Sequence, residues 1–274
     1  MTKIVFFDID GTLVTKRNTI PESAKKAIDQ LKKNDVIPVI ATGQAPILIE
    51  EIRQELGIES YIAMNGQLVM HEGEVIFHNP IQKETVDRLT EKAVERKNGI
   101  ILCGAKDIFS NSIVSLAKRS SVWTVLKGLG KIIPGHLQLS LFKRLIRKPP
   151  NPEEYEGKPI YQVILETSMD EEKHYSKEFP ELHFARSNHY TVDIISEGIS
   201  KAVGIQKFLE KLNLNQKDTY AFGDSPNDKE MLDYVNTGVA MGNGWDEIKE
   251  AAGHVTAPVD QDGIAKGLKH LGLI

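Results

Sequence analysis

The chain begins with a short apolar run that ends in two closely spaced aspartates. Residues 4–7 are branched or aromatic, and Asp8, Asp10 and Gly11 follow directly. Such a run predicts a strand buried on both faces of a parallel sheet. Two carboxylates about 4 Å apart, on side chains that lean the same way, repel each other by about 4 kcal/mol at an effective dielectric near 20. The pair therefore needs a cation, a shared proton or a catalytic role, although in isolation it is equally compatible with a polar turn.

Three further predicted strands also end in small or polar residues. These ends are Thr42-Gly43, Gly223-Asp224 and Gly242-Asn243-Gly244, after strands predicted over 36–41, 219–222 and 238–241. Helical patterns separate the strands, which predicts an α/β fold with a Rossmann-like, doubly wound parallel sheet. Because the carboxyl ends of parallel strands lie at one edge of the sheet, these distant segments are expected to converge.

Other local patterns complete this outline. Pro38 is awkward inside a strand and suggests a strand start or an edge strand. Helices are predicted from Pro21 and over 46–56, 201–212, 228–235 and 263–271; a third strand is predicted over 61–64 and a hairpin over 67–77.

The middle of the chain has a different character. Residues 108–152 contain no acidic residue, whereas 153–181 are rich in Asp and Glu. This shift predicts an inserted domain over 82–187, with the core domain formed by residues 1–81 and 188–274.

Composition limits the protein's class and its partners. At 274 residues, 41% hydrophobic and 26% charged, the chain is that of an ordinary globular protein of one large or two modest domains. A net charge of −4 argues against bulk nucleic-acid binding. No membrane span or signal-peptide core is visible, and the single cysteine, Cys103, cannot form an internal disulfide. The composition predicts a cytoplasmic protein without a membrane partner and leaves the oligomeric state open.

The order and spacing of four motifs resemble those of the haloacid dehalogenase superfamily of phosphatases. The resemblance spans the whole chain and rests on Asp8-Ile9-Asp10-Gly11-Thr12-Leu13, Thr42-Gly43, Lys201 and Gly223-Asp224-Ser225-Pro226-Asn227-Asp228. The insertion resembles the α/β cap of the Cof-type subfamily (class IIB), and Asn65-Gly66 and Ser200-Lys201 also fit that group.

The resemblance implies a role for each carboxylate. Asp8 is the expected nucleophile, forming an aspartyl phosphate that divides one difficult displacement into two easier ones. Asp10 is the expected general acid and then general base, a division of labour that a close pair with different pKa values can provide. Asp8, Asp224 and the main-chain carbonyl of Asp10 are the expected ligands of Mg²⁺, because all-oxygen ligation favours this ion over zinc.

The same resemblance implies a phosphate-binding set. Its members are the Thr42 hydroxyl, the amides of Gly43 and Ile9, the Lys201 ammonium group and Asn227. Asp228 is expected to orient Lys201 or to support the water shell of the metal. Considered singly, Thr42 fits a helix N-cap, Lys201 a solvated lysine and Asp228 a residue that favours a helix N-terminus.

Two features bear on specificity. The subfamily usually has Arg after Thr-Gly, whereas this chain has Gln44, which removes a fixed positive charge near the site entrance. The basic stretch 108–152 is either a solvated face balanced by the acidic segment or a surface for multiply charged phosphates, in which Lys118, Arg119, Lys127 and Lys131 take part.

The resemblance predicts a magnesium-dependent hydrolase of small phosphorylated metabolites, such as sugar phosphates, flavin mononucleotide or pyridoxal phosphate. The alternatives are a phosphomutase that uses the same aspartyl-phosphate step and a phosphate sensor without turnover. The intact Asp10 argues against a sensor, and it also argues against dehalogenation, in which no leaving alcohol needs a proton.

Overall fold

The computed structural model describes residues 2–109, 150–186 and 190–274. Lys118, Arg119, Lys127 and Lys131 of the basic stretch lie outside the described residues. The chain forms two compact units. The first unit comprises Met1–His78 and Gly198–Ile274, and the second comprises Asn79–Glu197.

The strands follow the apolar runs of the sequence. In chain order they are β1 (Ile4–Phe7), β2 (Ile37–Ala41), β3 (Tyr61–Ala63), β4 (Leu68–His71), β5 (Glu74–His78), β6 (Ile100–Gly104), β7 (Ile108–Phe109), β8 (Ile160–Glu166), β9 (Leu182–Ala185), β10 (Thr191–Ser196), β11 (Thr219–Gly223), β12 (Thr237–Ala240) and β13 (His254–Val255).

The helices follow amphipathic patterns and local start and stop residues. Those of the described residues are α1 (Glu22–Lys33), α2 (Pro46–Leu56), α3 (Lys83–Arg96), α4 (Pro152–Tyr155), α5 (Met169–Glu178), α6 (Lys201–Leu212), α7 (Lys229–Tyr234), α8 (Asp246–Ala251) and α9 (Gly263–His270). The bounds of α2 match the prediction, because Pro46 suits the first turn and Gly57 ends the helix in the left-handed conformation.

An eight-stranded sheet forms the centre of the first unit. Its strand order is β13-β12-β11-β1-β2-β3-β4-β5, and every pair from β13 to β3 is parallel. β1 is fully buried in the middle of this sheet, with Phe7 stacked on Phe222 and Phe6 in edge contact with Phe208. The α/β class and the Rossmann-like parallel core are therefore confirmed.

The far edge of the sheet is antiparallel. β4 pairs antiparallel with β3, and β5 pairs antiparallel with β4, which confirms the predicted hairpin. The fold is thus a parallel sheet with a hairpin added at one edge.

One local prediction is confirmed and one needs correction. Of the two settings predicted for Pro38, a strand start or an edge strand, the structure has the first: Pro38 is the second residue of β2, which lies between β1 and β3. Proline is tolerated there because β3 pairs only with Ile40 and Ala41, so the pairing with β3 requires no N–H donor at Pro38. The predicted third strand ends at Ala63, since Met64 adopts a left-handed backbone conformation (φ 49°) that is incompatible with a strand.

The second unit has its own sheet and core. The strand order is β7-β6-β8-β10-β9, and all pairs are antiparallel. Leu89 of α3, Tyr175 of α5 and Val163 of β8 are fully buried in its core. The sequence places residues 188–197 in the core domain, but β10 pairs with β8 and β9 and belongs to this unit.

Among the described residues, no helix is both long and apolar enough to cross a membrane.

Candidate active site

Asp8 lies where the central strand of the parallel sheet ends. Its main-chain N–H donates to the Phe222 carbonyl at 3.0 Å, which extends the pairing of β1 with β11 by one residue. Only 5% of Asp8 is exposed. The sheet therefore holds this carboxylate in a fixed, nearly water-free position.

Lys201, the first residue of α6, joins two aspartates. Its ammonium Nζ donates to Asp8 Oδ1 and to Asp228 Oδ1, each at 2.6 Å, and all three side chains are buried. Ser200 caps α6 by accepting the Val203 N–H. Lys201 is therefore not a solvated lysine, and the structure brings it against the aspartate that precedes it by 193 positions.

The second oxygen of Asp228 organises the loop that carries Asp224. Asp228 Oδ2 accepts the main-chain N–H groups of Asp224 at 3.0 Å and Ser225 at 3.1 Å. A Cβ on Gly223 would lie 2.6 Å from the Asp228 side chain, so this position excludes a side chain. Of the two predicted alternatives for Asp228, the contact with Lys201 is the one present in the geometry.

Asp224 packs against the turn that follows Asp8. Gly11 has φ +83°, and a Cβ there would come within 2.2 Å of Asp224 Oδ2. Glycine is required at this position by both the backbone conformation and the close approach. Asp224 Oδ1 is buried and has no hydrogen-bond partner among the described residues, which is costly for a carboxylate unless another ligand satisfies it.

The donor set fits a divalent cation. Asp8, Asp224 and Asp228 each offer a carboxylate oxygen, and these oxygens lie within 4.8 Å of one another. Both oxygens of Asp228 already accept hydrogen bonds, so Asp8 and the unpartnered oxygen of Asp224 are the better ligands. An all-oxygen set of this kind suits a hard cation. The Asp10 carboxylate does not join the cluster, and its main-chain carbonyl stays a predicted ligand.

The charge balance of the site is reflected in its pKa values. Burial raises the pKa of Asp8, the nearby Asp228 raises it further, and Lys201 opposes them. Burial and Asp228 raise the pKa of Asp224 to about 7. Burial alone would lower the pKa of Lys201, but Asp228 and Asp8 outweigh it and hold the pKa above its usual value. The lysine is thus charged and surrounded by excess negative charge, which a bound cation would offset.

Thr42 follows β2, the strand next to β1, which carries Asp8 at its end. Thr42 is buried, its main-chain N–H donates to the Ile62 carbonyl, and its Oγ1 accepts the Gln44 main-chain N–H at 3.1 Å. The residue before α2 is Ala45, so Thr42 does not cap that helix. Because Oγ1 accepts from Gln44, its hydroxyl proton is available to a bound oxyanion.

Ile9 and Gly43, the two residues with predicted amide contacts, lie in the two loops that carry Asp8 and Thr42. The Ile9 carbonyl accepts three successive N–H groups, the shortest from Val14 at 2.8 Å, and this network closes the turn after Asp8. Gly43 is half-buried between Thr42 and Gln44. Their proposed contacts with phosphate stay predictions.

Asp10 has a different environment from Asp8. Its side chain is exposed, and its Oδ2 accepts the Gln44 side-chain N–H at 2.5 Å. The position of Gln44 after Thr42-Gly43 predicts a place near the site entrance, but no sequence pattern predicts its contact with Asp10. A partner 34 positions away becomes visible only when β1 and β2 are paired.

Asn227 and two asparagines that were not predicted as site residues, Asn65 and Asn243, complete the surroundings. Asn227 Nδ2 donates to Asn65 Oδ1 at 3.1 Å. Asn243 Nδ2 donates to the Gly11 carbonyl at 2.8 Å and lies 3.5 Å from Asp224 Oδ2, while its Oδ1 accepts the Val259 N–H. Asn243 follows one of the four predicted strand ends, which was the available signal for it.

Comparisons with known proteins agree with this geometry. The family model of the haloacid dehalogenase-like hydrolases matches residues 5–268. A Bacillus subtilis (strain 168) protein named "Putative phosphatase YkrA" is 40% identical over 274 residues, covering 100% of this chain and 99% of that protein. The 5-amino-6-(5-phospho-D-ribitylamino)uracil phosphatase YitU of the same strain is 24% identical, covering 97% of this chain and 96% of its own.

A solved structure shows the same similarity. The sugar phosphatase BT4131, of subclass IIB of this superfamily, superposes with a TM-score of 0.80 at 29% identity and covers 100% of both chains.

The chain therefore belongs to the haloacid dehalogenase-like hydrolases. Within that family it is a phosphatase, an enzyme that hydrolyses phosphoric monoesters.

Proposed function

We propose that the protein hydrolyses small phosphate monoesters in two steps, with Asp8 as the nucleophile and Mg²⁺ as the metal. The observation that carries this proposal is the buried contact of Asp8 with Lys201, at 2.6 Å, beside an Asp224 oxygen that has no hydrogen-bond partner in the part of the chain that the structure describes. Such a site holds a carboxylate in place, supplies a positive charge for phosphate and keeps a coordination position for a cation.

In the first step, an Asp8 oxygen attacks phosphorus while the ester P–O bond breaks. The leaving oxygen takes a proton from the carboxylic acid form of Asp10 and departs as a neutral alcohol. Lys201 and the Thr42 hydroxyl stabilise the charge on the phosphoryl oxygens, because both donors are held in position before the substrate binds.

In the second step, water attacks the phosphorus of the aspartyl phosphate. Asp10, now a carboxylate, takes a proton from that water, and the bond between phosphorus and the Asp8 oxygen breaks. The products are inorganic phosphate and the Asp8 carboxylate. Asp228 keeps Lys201 in place throughout, since its own oxygens accept from Lys201 and from the Asp224 loop.

Asp8, Asp224 and the Asp10 carbonyl would hold Mg²⁺. When bound, the ion supplies positive charge at the phosphoryl oxygens and offsets the repulsion among the aspartates. Burial, together with the neighbouring Asp228 carboxylate, raises the pKa values of Asp8 and Asp224, and a bound cation would offset this penalty on their ionised forms, which supports the assignment.

For substrate class, we propose small phosphorylated metabolites such as sugar phosphates or phosphorylated cofactors. Two relatives support this class by their names, one a sugar phosphatase and one a phosphatase of a phosphoribitylamino-uracil. We further propose that residues 79–197 act as a cap domain that sets specificity, because Asp8, Asp224 and their partners all belong to the other unit.

The test is a panel of phosphorylated metabolites assayed for phosphate release with Mg²⁺ and with a chelator. We expect release from a subset of the panel, lost on chelation and restored by Mg²⁺. No release from any monoester, or full activity in the chelator, would contradict the proposal. A requirement for a bisphosphate activator would indicate the mutase alternative.

A further inference from the structure

We propose that Gln44 is a positioning residue that holds Asp10 for protonation of the leaving group. The inference rests on the proposed function, since it concerns the proton that Asp10 delivers in the first step. Gln44 Nε2 donates to Asp10 Oδ2, while the Gln44 main-chain N–H donates to Thr42 Oγ1 at 3.1 Å. One residue thus contacts both the expected acid and the expected phosphate-binding hydroxyl.

The main chain of Gln44 is held by hydrogen bonds at both its N–H and its carbonyl. Its main-chain carbonyl accepts the Met64 N–H at 3.1 Å, and the next main-chain group, Asn65 N–H, donates to the Thr42 carbonyl at 3.0 Å. Met64 and Asn65 both adopt left-handed backbone conformations, which turn the chain back toward Thr42. The backbone of Gln44 is therefore fixed by the ends of β2 and β3, and its side chain reaches Asp10 from a fixed point.

The contact also distinguishes the two oxygens of Asp10. An amide N–H occupies a lone pair of Oδ2, so the acidic proton is best carried by Oδ1 and is aimed away from Gln44. An exposed carboxylate without such a contact would rotate among several orientations. Proton transfer requires the acid within hydrogen-bond reach of the leaving oxygen. Fixing the carboxyl plane therefore raises the fraction of bound substrate that can react.

The role predicts a dependence on the leaving group. Cleavage of a good leaving group such as p-nitrophenolate needs no proton, whereas cleavage of a simple alcohol does. The parameter kcat/KM reports the steps through the first P–O cleavage and excludes the later attack of water. Loss of Gln44 should therefore lower kcat/KM for alkyl phosphates and spare that for p-nitrophenyl phosphate.

The experiment compares the wild-type protein with the Gln44→Leu and Gln44→Glu variants on monoesters of increasing leaving-group basicity. Leu removes the side-chain amide that donates to Asp10. Glu keeps the shape of the side chain, but its ionised carboxylate has no hydrogen to donate to Asp10. The two variants lose the contact in different ways, so the test survives if one of them fails to fold. Gln54→Leu is the matched control, because Gln54 also donates its side-chain amide to a carboxylate, Glu50 at 2.8 Å, but this contact lies on the exposed face of α2 and within that helix.

We expect both Gln44 variants to lose about 10- to 100-fold in kcat/KM for alkyl phosphates and less than about 3-fold for p-nitrophenyl phosphate. Gln54→Leu should leave both values unchanged. An equal loss for both classes of ester, or no loss for either, would overturn the positioning role. A wild-type protein inactive on every ester would instead refute the proposed function, so the two failures are distinguishable.

Discussion

Two ion pairs of similar geometry show how burial changes what a charge can do. Lys201 lies 2.6 Å from Asp8 with both side chains buried, whereas Lys229 lies 2.8 Å from Asp233 with about half of each side chain exposed. Water and salt screen the exposed pair, which joins neighbouring turns of α7. The buried pair is unscreened and fixed by the sheet, so its charges are available to a substrate. The distance alone does not distinguish a site from a surface contact.

The largest difference is expected on removing Asp8, the proposed nucleophile. Asp8→Asn should lower phosphate release by at least about 10⁴-fold, because an amide oxygen cannot form the acyl phosphate. The measurement is kcat on the best ester, with the melting temperature as a check of folding. The matched control is Asp233→Asn, which should keep full activity. Substantial turnover by a folded Asp8→Asn protein would refute the assignment.

Removing the lysine of each pair is the second comparison. Lys201→Met leaves Asp8 and Asp228 buried without their counter-charge, so we expect a loss of about 3–5 kcal/mol in the free energy of unfolding. Activity should fall by about 10²–10³-fold, as is typical when one charge-stabilising donor is lost. Urea denaturation and steady-state kinetics measure these effects. Lys229→Met should change neither, and equal effects at the two positions would contradict the comparison.

Asp224 provides a test in which the substitution is expected to stabilise the fold, in contrast to Lys201→Met. In the metal-free protein, burial and Asp228 raise its pKa from 3.8 to about 7. Between these pH values the folded state holds a proton that the unfolded state has lost. The free energy of unfolding therefore falls as the pH rises from about 4 to 7 and stays low above 7.

Asp224→Asn should remove this pH-dependent loss of stability, because asparagine does not ionise, and it should also abolish activity. In a chelator at pH 8 we expect the variant to be more stable than the wild-type protein by at most about 4 kcal/mol, with the difference vanishing near pH 4. Denaturation midpoints across this pH range measure it. A variant less stable than the wild type at pH 8 would show that Asp224 is not a strained carboxylate.

The smallest effect is expected at a pair of stacked histidines, of which His254 is partly buried and His270 is exposed. The rings of His254 and His270 stack at 3.9 Å, and burial together with His270 lowers the pKa of His254. Below about pH 6.5 the unfolded state therefore binds a proton at this histidine more readily than the folded state does. The contribution of the pair to the free energy of unfolding is fully present above about pH 6.5 and falls as the pH drops below it. His254→Gln should reduce this loss in thermal denaturation between pH 7 and 5, and an unchanged profile would contradict it.

The sequence predicted those features that depend on local pattern. Asp8 and Thr42 follow apolar strands, and parallel topology alone brings such ends together. The bounds of α6 also matched, since Ser200 and the apolar spacing are local signals. The same reasoning missed the contact of Gln44 with Asp10 and that of Asn243 with the Gly11 carbonyl, because each joins segments that only tertiary pairing brings together.

The boundary between the two units near β10 could not be predicted from the sequence for a related reason. β10 has the apolar residues expected of a core strand, but its partners are β8 and β9. Strand pairing is decided by register and neighbours, and the apolar pattern of a single strand does not reveal them.

The proposed mechanism depends on Asp8 forming the covalent intermediate and on Asp10 moving the protons. The direct measurement uses the Asp10→Asn protein mixed with p-nitrophenyl phosphate, quenched and reduced with borohydride. An aspartyl phosphate is reduced to homoserine, which peptide mass spectrometry locates in the chain. We expect homoserine at position 8 only after exposure to substrate, and none in the Asp8→Asn,Asp10→Asn double variant. Release of nitrophenol without modification of position 8, or with modification of another aspartate, would contradict it.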